Sequence, residues 1–218
     1  MVIQPALLSA VAFFAGARPG VRALDIACGT GITFDYLLAQ GIESLTAIDI
    51  SDEMARIAQA KYAHDSRVTV LTGDFLQLEA PPFDCALLYN AYPHFLDKPA
   101  LLAHAAALLK PGGRFTVAHG MGRKTLNSRH QDVPPSVSVP LGPAQGETAV
   151  WEPWFLVDMC CDRPDFYLLS GTRLPAQETT RIAAFSTLPA QTAKNQILLV
   201  FEHIVNSPKA YAWEIFLC

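Results

Sequence analysis

Runs of consecutive apolar residues alternate along this chain with stretches in which apolar residues recur every third or fourth position. The first pattern suits strands buried on both faces, and the second suits helices with one apolar side. Strands are therefore predicted at 21–27, 45–49, 67–72, 83–89 and 114–119, and helices at 5–14, 31–40, 52–62 and 98–109. Ser51 stands before the 52–62 segment as an N-cap, with Asp52 and Glu53 in the first turn. The 98–109 segment repeats Leu101, Leu102, Ala105, Leu108 and Leu109 and stops at Lys110-Pro111-Gly112-Gly113. Such alternation predicts a mostly parallel sheet covered on both faces. Residues 120–150, rich in Gly, Pro and Ser, are expected to form a long loop with room for a short helix, a candidate lid. Phe155–Met159 and Phe166–Leu169 flank Asp162-Arg163-Pro164-Asp165 and read as a closing hairpin. Further on, Asn195–Val205 has the spacing of an amphipathic helix, and Tyr211–Leu217 is apolar enough for a strand.

The junction between the first strand and the next helix is unusual. Leu24-Asp25-Ile26-Ala27-Cys28-Gly29-Thr30-Gly31 breaks an apolar strand into a glycine turn. Gly29 and Gly31 permit backbone angles that other residues resist, and leave room for a ligand against the main chain. The second strand ends in Asp49, where an acid can accept both hydroxyls of a ribose. An adenosine-containing cofactor is expected. A dinucleotide site would want a third glycine where Phe34 stands, so a pyrophosphate is disfavoured.

Four segments in order extend this reading: Leu24 to Gly31; Thr46-Ala47-Ile48-Asp49-Ile50-Ser51 with Met54; Thr72-Gly73-Asp74-Phe75; and Leu109-Lys110-Pro111-Gly112-Gly113-Arg114-Phe115. In these segments the chain resembles the class I S-adenosylmethionine-dependent methyltransferases. One departure is Ala27, which sits where the family usually has glycine. The resemblance implies an α/β, Rossmann-like, doubly wound and mostly parallel sheet of seven strands, the last antiparallel, in three αβα layers. It implies a methyltransferase domain over 1–172 and leaves 173–218 as a C-terminal extension of unknown role. It also implies roles for individual residues. Asp25 would support the methionine end of S-adenosylmethionine, and the backbone at Ala27, Gly29 and Gly31 would pass under it. Asp49 would hold the ribose, Ile50 and Met54 would contact ribose and adenine, and Asp74 would accept the adenine amino group with Phe75 beside the ring. Tyr89, which ends the fourth strand, is placed with these cofactor contacts. For Asp74 a plain turn acid after Gly73 is the alternative.

Methyl transfer chiefly requires alignment of acceptor, methyl carbon and sulfur, and a base only where the acceptor must lose a proton. Ligands of open α/β sheets bind beyond the carboxyl ends of the strands. Tyr89-Asn90-Ala91-Tyr92-Pro93-His94-Phe95 follows the fourth strand and His119 ends the fifth. His94 is the candidate catalytic base, and Tyr92, His119 and His130 are candidate acceptor contacts. The competing reading makes His94 a turn histidine that shapes the pocket, and Tyr92 ordinary packing.

Composition narrows the field. The chain has 218 residues, is 51% hydrophobic and carries a net charge of −4, without the basic footprint of a nucleic-acid partner. Asn90-Ala91-Tyr92-Pro93 is not the Asn-Pro-Pro-aromatic run of DNA amino-methylating enzymes. Five cysteines show neither metal-ligand spacing nor a disulfide framework, so no metal is expected and a reducing cytoplasm is. No positive charge precedes the apolar residues 5–16, which read as a short helix rather than a secretory signal, and no membrane partner is expected. The function expected is methyl transfer from S-adenosylmethionine to a small-molecule acceptor. The alternatives are a non-catalytic S-adenosylmethionine-binding protein and a nucleotide-dependent oxidoreductase. Oligomeric state is left open, a dimer through the extension included.

Overall fold

The computed structural model describes residues 5–175. Its strands are β1 (Arg22–Ile26), β2 (Ser44–Asp49), β3 (Val68–Thr72), β4 (Phe83–Tyr89), β5 (Leu109–His119), β6 (Phe155–Asp162) and β7 (Tyr167–Arg173). The helices are α1 (Pro5–Phe14), α2 (Phe34–Leu38), α3 (Asp52–Tyr62), α4 (Lys98–Leu108), α5 (Arg123–Arg129) and α6 (Ala144–Trp151). The seven strands form one sheet in the order β3-β2-β1-β4-β5-β7-β6. Neighbours from β3 to β5 are parallel, whereas β7 runs antiparallel to both β5 and β6. This is the doubly wound, three-layer arrangement expected. Strand order reverses beside β1, which opens a crevice at the carboxyl ends of β1 and β4.

Two apolar layers hold the sheet. On one face Leu24, Ile26, Leu88, Phe115 and Val117 pack against Leu101, Leu102 and Ala105 of α4 and Trp151 of α6. On the other, Ala23, Leu45, Ala47 and Leu87 meet Val11 and Ala12 of α1, Leu37 of α2 and Ala58 of α3. Burial on both faces explains why β1, β2 and β4 read as unbroken apolar runs.

Three local outcomes differ from expectation. The helix foreseen at 31–40 is reduced to Phe34–Leu38. Gly31 sits at φ +75°, which no α-helix tolerates, and Thr33 spends its hydroxyl on Asp25 instead of capping the helix. In β5, Leu109 pairs with Phe83 and Arg114 with Cys85, so Lys110–Gly113 bulge out between two regular stretches. Residues 120–150 are not one loop: α5 and α6 occupy much of the segment, and Trp151 is fully buried with its ring 5.1 Å from that of Phe115. Cys28, Cys85 and Cys161 are free thiols, and Cys160 is disulfide-bonded, against the expectation that none would be. Among the described residues no helix is long and apolar enough to cross a membrane. The helix and strand expected at 195–205 and 211–217 lie outside the described residues.

Candidate active site

The first half of the site is made by the turn after β1. Ala27, Gly29 and Gly31 all lie at positive φ (+53°, +55° and +75°), a left-handed course that carries the main chain round the head of the sheet. No atom comes within 4 Å of where a Cβ on Gly29 would stand, so the turn presents bare backbone there. At Gly31 the same position is 3.0 Å from the Phe34 ring. That ring is fully buried and fills the space which the third glycine of a dinucleotide site would leave.

Asp49 is pinned by main chain: Gly29 N–H donates to Oδ2 at 2.7 Å and Ser51 N–H to Oδ1 at 2.9 Å. Asp25 lies deeper, 1% exposed, and accepts from the Thr33 hydroxyl. Burial pushes its carboxyl up to about 7, against the pull of the Thr33 bond and with help from the nearby Asp49 charge. Beside these acids Ile50 and Met54 are 75% and 42% exposed. Bare apolar side chains next to fixed carboxylates are a surface that a ring and its sugar would cover.

The rest of the expected cofactor set is dispersed. Asp74 is exposed and caps a 3-10 turn, accepting from Leu76 N–H at 2.9 Å. Phe75 is not at the surface beside a ligand: it is buried edge-on against Phe95 and His104. Its side chain turns inward because that short turn aims it at α4. Tyr89 packs under the end of β5, where a Cβ on Gly120 would collide with its hydroxyl.

The second half lies over β4, β5 and β7. His94 is exposed, with Nδ1 3.1 Å from the Val137 carbonyl oxygen and its ring 5.4 Å from that of His130. His130 in turn meets the Ser138 hydroxyl through Nδ1 at 2.9 Å. Tyr92 does not face an open pocket as expected but is wholly buried. Its hydroxyl donates to Glu147 at 3.2 Å and accepts from the Trp151 indole at 3.3 Å, so α6 lies directly on it. Lys98 Nζ stands 3.8 Å from the centre of the Tyr92 ring, donates to the Tyr92 carbonyl, and is pushed down to about 8 by burial. His119 is fully buried, and burial first, then the Lys98, His130 and His94 charges, hold it down to about 3. The imidazole is therefore neutral at any ordinary pH. The segment over these groups is stitched down by Val139 N–H to the Pro93 carbonyl at 2.9 Å, and by the Asn127 amide to both main-chain groups of Leu141.

A family model described as a methyltransferase domain matches residues 23–113. A ubiquinone biosynthesis O-methyltransferase from Xylella fastidiosa is 34% identical over 104 residues, 45% of this chain and 42% of that protein. An O-methyltransferase of Pyrenophora dematioidea is 30% identical over 105 residues, 46% of this chain and 39% of that one. The chain spans less than half the length of these curated relatives. Among solved structures, the N-methyltransferase NodS from Bradyrhizobium japonicum, bound to S-adenosylhomocysteine, superposes with a TM-score of 0.61. It is 15% identical, over 77% of this chain and 86% of that one, a likeness of fold alone. Residues 23–113 are thus similar to a methyltransferase domain, and the sheet has the fold of the class I S-adenosylmethionine-dependent methyltransferases.

Within that family the donor is S-adenosylmethionine, and the residues around the β1 turn suit it. An open glycine surface, a main-chain-fixed acid, a bare apolar patch and a deeper acid complement an adenosine carrying a cationic amino acid. Four residues that the fold brings beside the expected ones were not foreseen: Thr33, Lys98, Glu147 and Tyr167. Thr33 had a local signal, a hydroxyl one helical turn from the glycines. Glu147 and Tyr167 had none, since only the packing of α6 and the pairing of β7 bring them here.

Proposed function

We propose that this chain transfers the methyl group of S-adenosylmethionine to a hydroxyl oxygen of a small-molecule acceptor. When bound, the cofactor supplies an electrophilic methyl on a sulfonium and leaves as S-adenosylhomocysteine. Asp49 accepts the ribose hydroxyls on lone pairs not engaged by Gly29 and Ser51, and Gly29 lets the ligand lie on the main chain. Asp25 takes the amino end, Ile50 and Met54 cover the adenine, and Asp74 and Tyr89 complete the rim. The observation that carries this reading is the open Gly29 backbone held beside a pinned Asp49 and a bare Ile50.

His94 is the group that removes the acceptor's proton. The Val137 carbonyl can only accept, so Nδ1 bears the proton and Nε2 is left basic. The hydroxyl acceptor is inferred from the two curated relatives described above, both O-methyltransferases. Calorimetry with S-adenosylmethionine and with NAD tests the donor site. Release of S-adenosylhomocysteine with hydroxylated aromatics tests the acceptor class. Tight binding of NAD would overturn the first, and turnover confined to amines the second.

A further inference from the structure

Two side chains at the head of the sheet have polar atoms without a hydrogen-bond partner among the described residues. His119 ends β5 and Tyr167 begins β7, and the antiparallel register sets them directly opposite each other. Both are fully buried, their rings 5.9 Å apart and edge to face. Among the described residues neither ring nitrogen of His119 nor the Tyr167 hydroxyl has a hydrogen-bond partner. Burying such groups unpaired destabilises a fold, and apolar residues of the same shape would avoid that loss. Tyr167 belongs to the same apolar core layer as the aromatic side chains Tyr92, Phe115, Trp151 and Phe155. The pair stands one strand from Asn90, whose side chain accepts from Gly120 N–H at 2.9 Å, and so beside the loop that carries His94.

We propose that His119 and Tyr167 form the subsite that holds the hydroxyl group of an aromatic acceptor beneath the α5–α6 cover. This rests on the reading of the acceptor as a hydroxylated molecule. A neutral imidazole offers one acceptor and one donor, and a tyrosine offers a donor. A ligand hydroxyl that donates to His119 and accepts from Tyr167 satisfies both, which neither an ammonium nor a methyl group can do. The aromatic walls favour a flat ring behind that hydroxyl. Because its protonation is suppressed, His119 only positions the hydroxyl it holds, and the proton that His94 removes is that of a second hydroxyl on the same acceptor, the one that is methylated. Admission of the ring requires α6 to lift from Tyr92, so the Glu147 and Trp151 bonds are the latch.

Tyr167→Phe and His119→Phe in the full chain test this. Binding of catechol and of 3,4-dihydroxybenzoate is measured by calorimetry with S-adenosylhomocysteine present, alongside turnover and thermal melting. Tyr167→Phe is expected to melt at or above the parent temperature and to keep its cofactor affinity. It should lose about 5- to 100-fold in acceptor affinity and KM, with a smaller effect on kcat. His119→Phe serves as a second variant with the same expectation. Unchanged acceptor binding in both, or no binding of either probe by the parent, would overturn the subsite. Binding of a probe by the parent without turnover would instead count against the methyl-transfer reading and leave the subsite standing.

Discussion

Asp25→Asn separates what the fold needs from what the cofactor needs. The wild-type carboxyl is buried and moved from 3.8 to about 7. At about 1.36 kcal/mol per pH unit, keeping it ionised costs the folded state roughly 4 kcal/mol above pH 7. The folded state holds its proton longer than the unfolded chain, so this contribution lowers stability as pH rises from about 4 to 7 and is level beyond. An asparagine can still accept from the Thr33 hydroxyl and never ionises. The variant should therefore match the parent near pH 4 and melt higher at pH 8, by roughly 10 °C at the upper limit for a domain of this size. Cofactor binding should move the other way. An ammonium next to Asp25 draws the carboxyl into its ionised form, so wild-type affinity should rise between pH 6 and 8 with release of a proton. The Asp25→Asn protein should bind about 10- to 100-fold more weakly at pH 8 and show no such rise. Melting curves across pH, with calorimetry in two buffers of different ionisation enthalpy, decide the matter. Equal destabilisation at pH 4 and pH 8, with an unaltered pH dependence of binding, would refute the reasoning.

Three further outcomes are expected. Asp49→Ala should raise the Kd for S-adenosylmethionine by about 10- to 100-fold, since it removes an acceptor for the ribose and releases the Gly29 amide; calorimetry showing no change would sink the ribose assignment. His94→Gln should leave cofactor affinity unaltered while single-turnover transfer slows by about 10²–10⁴-fold; unchanged transfer would remove His94 as the base. Gly31→Ala should destabilise the fold by about 1–3 kcal/mol, measured by denaturant unfolding, because φ is +75° and the new methyl would meet a fully buried Phe34 ring at 3.0 Å.

What was legible in the sequence is what is local. β1, β2 and β4, like α1 and α3, lie close to their predicted positions, because strands buried on both faces write themselves as mostly apolar runs. Ser51 does cap α3, accepting from Met54 N–H at 3.4 Å. Gly29 and Asp49 were paired in the reading by their places at two strand ends, and in space one bonds the other. The burial of Tyr92 and Phe75 was not legible because each sits in a one-turn 3-10 helix, where no periodicity reveals which way a side chain points. α6 went unseen since Pro143 and Gly146 suppress its helical signal, and its anchors, Trp151 against Phe115 and Glu147 on Tyr92, are contacts distant in sequence. The meeting of His119 with Tyr167 depends on strand register across many residues, which composition does not encode.

The order in which the sheet is assembled along the chain has a further consequence. Every residue given a cofactor role falls between Asp25 and Tyr89, while the cover and its antiparallel edge strands come from residues after 119. The match to the methyltransferase domain spans 23–113 and stops short of that second portion. On the function proposed, the donor contacts precede β5 and the cover over the acceptor follows it, with His94 and His119 as the acceptor-side residues outside that cover. Lengthening, shortening or replacing 120–151 would alter what is admitted without disturbing the Gly29–Asp49 bond, so a graft of this segment between related chains should carry acceptor preference with it.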